Sequence, residues 1–167
     1  SRDSFVASRG ADAPHPHQPG NTMSAAQRNR GARAEVAVVN YLRTQGWPDA
    51  RRYLAGDGRQ PGDIDWHPLV CLEVKDVAGS SWPSWCRQAA AEARPGMVPV
   101  VVRRTRGVPD VGAWPVRAQW RPWLDVLGRP APDFACWDGT AHYVTDAGTW
   151  CESTMAELVA AVKAVDA

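Results

Sequence analysis

The stretch Gly62-Asp63-Ile64-Asp65-Trp66-His67-Pro68-Leu69-Val70-Cys71-Leu72-Glu73-Val74-Lys75 holds the residues of this chain best suited to chemistry. Two short apolar runs flank a Trp-His-Pro break, the pattern of two strands joined by a tight connection. Side chains on a strand alternate, so Val70, Leu72 and Val74 share one face and Cys71, Glu73 and Lys75 the other. A carboxylate and an ammonium then stand side by side, and hairpin pairing brings Asp63 or Asp65 to the same face. Two acids and a lysine on one patch of an apolar sheet suit binding of a cation and an anionic substrate. The plainer alternative is a surface one: Asp63 opens a turn, and Glu73 with Lys75 forms a same-face ion pair, individually weak. The chain has only two lysines, Lys75 and Lys163, against seventeen arginines. A lysine on this strand therefore points to a need for a compact ammonium rather than a planar fork.

Two helices must position that patch. Residues 25–45 read as helical and stop at Gly46 and Pro48. At helical spacing Ala32, Val38, Val39 and Leu42 fall within about 60° of Glu35, which puts a carboxylate on the apolar face. Burying an acid is costly unless it is paired or bound to a cation. Glu35 thus either caps an arginine at the rim or points into the site of Asp63, Glu73 and Lys75. Downstream, Ser80-Ser81 and Pro83 start a helix over residues 82–94 that stops at Pro95-Gly96. Residues 97–102 form an apolar run broken only by Pro99, the pattern of a buried strand. Strand 69–75, helix 82–94 and strand 98–103 make a βαβ crossover, right-handed with parallel strands. With Arg51-Arg52-Tyr53 as a short strand, the order is helix, strand, strand, strand, helix, strand.

The 167 residues, 44% of them apolar with nine tryptophans, suffice for one core, with a small appendage. The formal net charge of +1 excludes a global basic field. Locally, Arg28, Arg30, Arg33, Arg43, Arg51, Arg52 and Arg59 face only Glu35, Asp49 and Asp57. The loop carrying Arg59 suits either a phosphate backbone or an ordinary hairpin. Cys71, Cys86, Cys136 and Cys151 lack CxxC spacing and read as reduced, mostly buried thiols. No run reaches membrane-span length and no signal peptide is visible, which predicts a cytoplasmic protein without a membrane partner. Residues 1–24 read as a disordered extension, in which His15 and His17 make a poor metal site and Met23 is a candidate start of the functional polypeptide.

Arg30-Gly31-Ala32-Arg33-Ala34-Glu35 on a helix, then Gly62-Asp63-Ile64, Leu72-Glu73-Val74-Lys75 and the αβ unit that follows, resemble the PD-(D/E)XK nuclease superfamily. Within it the likeness is closest to archaeal-type Holliday junction resolvases, including those carried by bacterial viruses. It spans residues 28–104, with Gly62 where the superfamily motif has proline. The resemblance implies an α/β fold with a restriction-endonuclease-like αβββαβ core, a mixed central sheet flanked by helices, over residues 25–127. Glu35, Asp63, Glu73 and Lys75 would be catalytic, and Gln88 matches a glutamine found in the site of some relatives. Asp63, Glu73 and Glu35 would hold one or two Mg²⁺, with Mn²⁺ as a substitute, since hard cations take oxygen ligands. Lys75 would act on the attacking water or on transition-state charge. Arg28, Arg30, Arg33, Arg51, Arg52 and Arg59 are the expected contacts to the DNA backbone. The implied activity is metal-dependent cleavage of four-way DNA junctions by a homodimer, in host cytoplasm if viral. A restriction or repair endonuclease, or an inactive DNA-binding module on the same fold, is the alternative.

Past the resemblance, residues 113–121 alternate, with Trp114, Val116, Ala118 and Trp120 on one face and Arg117, Gln119 and Arg121 on the other. This reads as a half-buried edge strand whose arginines either meet DNA or keep the edge soluble. Residues 128–167 read as an appendage: a Pro-containing linker over 128–133, a hairpin of 134–137 with 141–145 turning at Asp138-Gly139, and a last helix. Thr154 and Glu157 form a capping box for that helix, and Met155, Leu158, Val159, Val162 and Val165 line one side as core or as a dimer face. His67 and His142 read as turn or surface residues.

Overall fold

The computed structural model describes residues 24–54, 60–119, 122–123, 142–145 and 148–167. The expected disordered extension up to residue 23, Arg59 with its loop, the linker over 128–133, the strand at 134–137, Cys136, Trp120 and Arg121 lie outside the described residues.

Helix α1 (Ala25–Thr44) begins at Ser24, whose hydroxyl accepts from the Gln27 N–H while the Gln27 side chain accepts from the Ser24 N–H. This reciprocal cap satisfies two of the donors that every helix start leaves open. Strands β1 (Arg51–Arg52), β2 (Ile64–Asp65) and β3 (Val70–Lys75) follow, then α2 (Trp82–Glu92) and β4 (Val98–Arg103). The helix, strand, strand, strand, helix, strand order is therefore present. β1 and β2 are antiparallel, as are β2 and β3. β3 and β4 run parallel from the Val70–Val98 pair to the Lys75–Arg103 pair, the arrangement a βαβ crossover requires. Pro99 fits because Val98 donates to Leu69, just before β3, so the missing donor of Pro99 faces β5, whose pairing begins only at Val100.

The chain continues through a 3-10 turn (Val111–Ala113), β5 (Pro115–Gln119), β6 (His142–Thr145), β7 (Gly148–Thr154) and α3 (Met155–Asp166). The mixed sheet has seven strands in the order β1-β2-β3-β4-β5-β7-β6. Two expectations are corrected here. β5 is an interior strand, hydrogen-bonded to β4 on one side and β7 on the other. Arg117 consequently turns inward, where its Nε lies 3.1 Å from Glu152 and its guanidinium stacks 4.4 Å over Trp82. Trp114, Val116 and Ala118 do share one face and Arg117 takes the other, but alternation alone does not distinguish a solvent-facing side from one covered by a helix. Residues 148–167, moreover, are no appendage: β7 extends the sheet, and Met155, Leu158, Val159 and Val162 of α3 enter the main core. β6 pairs with β7.

Three layers result. α1 and α3 cover one face of the sheet, where Val38 and Leu42 meet Leu72, Val74, Val100 and Val116. α2 covers the other, where Trp82, Trp85, Cys86 and Ala89 meet Val101 and Trp150. Full burial of a Leu or Val contributes about 1.5–3 kcal/mol, which makes these faces the main source of stability. The Thr154 capping box is formed as expected, with the Thr154 N–H donating to Glu157 at 2.8 Å. His67 is buried, not exposed; its ring joins Asp166 of α3 at 3.1 Å and accepts from the Leu69 N–H. Among the described residues no helix is long and apolar enough to cross a membrane.

Candidate active site

β3 is covered on both faces, so the odd positions that the sequence places together lie under α2. Cys71 packs beneath Ala89, and Glu73, two residues on, is 1% exposed. At the end of the strand the cover thins, and Lys75 reaches back. Its Nζ lies 2.8 Å from Glu73 and 2.8 Å from Gln88 of α2. The sequence-predicted Glu73, Lys75 and Gln88 are thus brought together.

Asp63 joins them through the backbone of β3. Its N–H donates to the Leu72 carbonyl at 2.8 Å, and its carboxylate accepts from the Val74 N–H at 2.7 Å. The side chain takes the place a ladder carbonyl would otherwise fill, so the acid is held by main chain on both sides. Gly62 makes this approach possible. It adopts φ 77°, and a Cβ there would stand 2.6 Å from the Leu72 carbonyl oxygen. Proline, fixed near φ −65°, is excluded from that position.

Glu92 is the member that sequence reasoning missed. It lies one turn beyond Gln88, which donates to it at 3.0 Å, and it is hydrogen-bonded to Glu73 and to the Gly62 backbone. The i, i+4 relation to Gln88 was the available signal. Burial, the Glu92 hydrogen bond and the charge of Asp63 push the Glu73 carboxyl up to about 8, against the lowering effect of Lys75. Asp63 is also raised, chiefly by burial and further by the nearby Glu35 charge, with the Val74 N–H opposing. Glu92 goes the other way: burial would raise it, but hydrogen bonds from Glu73 and Gln88 and the Lys75 charge hold it below the usual carboxylate range. Glu73 therefore carries a proton that it shares toward an ionised Glu92.

Glu35 stands at the rim. Its carboxylate meets the Arg52 Nε at 2.5 Å, with the side chain 18% exposed, so of its two expected roles it plays that of capping an arginine. It nevertheless acts on Asp63 through its charge. Asp65 turns away to Arg51, at 2.8 Å, and to Tyr53. Arg28 and Arg33 are exposed on α1, and Arg30 is half-buried. Cys71, Cys86 and Cys151 are buried free thiols, and burial pushes Cys71 up to about 12.

Among the described residues no three His, Cys, Asp or Glu side chains are arranged to hold one ion. The donor chemistry nonetheless fits a hard cation: the acids offer only oxygens, and the raised pKa values of Asp63 and Glu73 express crowded negative charge that a divalent ion would neutralise. No protein-family model, curated protein or solved structure matches the chain.

Proposed function

We propose that this protein is a Mg²⁺-dependent endodeoxyribonuclease, with four-way junctions as the substrate to which the sequence resemblance points. The observation that carries the reading is the cluster of Asp63, Lys75, Gln88 and Glu92 around the buried Glu73, where acids are crowded against one ammonium. A structural ion pair has no need of three carboxyl groups for one lysine. Crowded carboxylates with raised pKa values are common where a fold keeps charge for chemistry.

Asp63 and Glu73 are the residues that would hold the cation, with Glu92 beside them and Glu35 available if released from Arg52. When bound, a divalent ion supplies neutralisation of phosphoryl charge and activation of water. The chain's own residues do the rest. The main-chain bonds of Asp63 fix its carboxylate, and Gln88 orients the Lys75 ammonium, which faces the charge that builds on the phosphate. Loss of the Glu73 proton to solvent readies its second oxygen.

A labelled four-way junction and a linear duplex of the same arms, each with Mg²⁺ or EDTA, test the proposal, with Asp63→Asn as the comparison. Paired Mg²⁺-dependent nicks in the junction alone, abolished by the substitution, are the expected result. Cleavage of both substrates would make it a general endonuclease of the restriction or repair type, and binding without cleavage would leave a DNA-binding module.

A further inference from the structure

On the α1 side of the sheet, at the end where β3 and β4 finish, lies an open groove of about 530 Å³ walled by Arg30, Arg33, Arg104 and Arg106, with Trp114 and Asp76 also lining it. Four guanidinium groups face one carboxylate. Asp76 is buried and fixes Arg104, whose Nη1 lies 3.1 Å from it. Arg104 also stands 6.0 Å over the Trp114 ring. The Nε of Arg30 is buried with no hydrogen-bond partner among the described residues. A buried donor left unsatisfied is costly, and it marks a place where an acceptor belongs. Arg33 and Arg106 are exposed at the mouth. Guanidinium donors converging on one concavity suit phosphate oxygens, which they bind in pairs.

We infer that this groove is a phosphate seat for a DNA strand, separate from the acid cluster. Asp76 follows Lys75 directly, and Arg104 follows the strand beside it. The seat and the acid cluster thus lie at the same end of the sheet, on its two faces. A strand crossing that end would set one phosphate in the seat while another stretch of its backbone reaches the acids. The inference rests on the reading of the protein as a DNA enzyme, but its test needs no cleavage. The phosphate is either an internal diester or a terminal monoester, and both present the oxygens the arginines require.

The experiment is binding of duplex DNA to the full chain in EDTA over a salt series, with 5′-phosphorylated, 3′-phosphorylated and unphosphorylated ends. The variants are Arg33→Gln with Arg106→Gln, and Arg43→Gln with Lys163→Gln as an equal change of charge at the far end of α1. Each phosphate contact adds about 0.9 to the slope of log affinity against log salt, or about eightfold at about 0.1 M salt. The groove pair is expected to lose about sixtyfold and to flatten the slope by about 1.8, the far pair little. A loss on all three duplexes assigns an internal phosphate, and a loss confined to one phosphorylated end assigns a terminal one. Unchanged affinity, or equal losses from both pairs, would overturn the seat. Cleavage by the groove variant at unchanged affinity would sink the seat and keep the nuclease. Groove-dependent binding with no Mg²⁺-dependent cleavage would do the reverse.

Discussion

Replacing Glu73 by glutamine should make the metal-free protein more stable at neutral pH while abolishing the proposed cleavage. The carboxyl moves from an ordinary value of 4.5 to about 8 in the folded chain. A folded-state value raised above the unfolded one favours the protonated form. The stabilisation is therefore complete below about pH 4.5 and is lost progressively as pH rises to about 8. Between those limits the loss runs at up to about 1.4 kcal/mol per pH unit, so near pH 7 it amounts to roughly 3 kcal/mol at most. Glutamine reproduces the protonated acid: its carbonyl can accept from Lys75 and its amide can donate to Glu92, the two partners Glu73 has. It never ionises, so it avoids the loss.

Urea denaturation of the native chain and Glu73→Gln in EDTA, at intervals from about pH 5 to about pH 9, measures the difference. Other carboxylates titrate in both proteins and cancel in the comparison. The stability gap should widen in favour of the variant up to about pH 8 and then level. A gap that stays flat, or one that favours the native chain at neutral pH, would refute the reasoning, because Glu73 would then be ionised at no cost and the crowded cluster would not exist as described.

Other changes have separate readouts. Mg²⁺ should raise the melting temperature, and more so at higher pH because binding displaces the Glu73 proton; at about 100 times its dissociation constant it adds about 2.7 kcal/mol, readable by calorimetry in two buffers. Lys75→Met removes the ammonium that opposes the rise of Glu73, so cleavage should fall by about a hundredfold or more while the pH-dependent loss of stability deepens. Gly62→Ala forces a Cβ against the Leu72 backbone and should cost about 1–3 kcal/mol, measured by urea unfolding, together with activity lost through displacement of Asp63. Arg117→Met removes a buried guanidinium from the half-exposed Glu152 and should destabilise by about 1–3 kcal/mol without changing DNA affinity, a distinction that denaturation and binding assays make together.

The local elements were legible because their signals are local. Gly46 and Pro48 mark where α1 ends, and the 97–102 run is uniform enough to be a buried strand. The Val70–Lys75 alternation located Glu73 and Lys75 on one side, and they do meet. What escaped depends on tertiary cover. No property of residues 115–119 reveals that β7 lies beside them, since the Gly148–Thr154 run mixes polar and apolar residues and pairs across 31 to 39 positions of sequence. Glu35 is a similar case: helical spacing placed it on the apolar side of α1, but only the fold brings Arg52 against it. Glu92 was reachable from Gln88 by counting one turn, whereas its bond to the Gly62 backbone was not.

The position of Glu73 also bears on why such a cluster persists. A penalty of roughly 3 kcal/mol at neutral pH is a sizeable part of the 5–15 kcal/mol by which domains of this kind are stable. The fold could avoid it with a hydrophobic residue, as at Cys71 and Val101 on the same face, and would gain packing under α2. As a surface pair the Glu73 and Lys75 combination would be cheap, but Glu73 is buried, and three further polar groups, Asp63, Gln88 and Glu92, are arranged about it. Stability is given up at one end of one strand and recovered only if something neutralises the acids. In the proposed nuclease a bound divalent cation would do that, and the same charge that would relieve the folded state is the charge that phosphodiester cleavage requires.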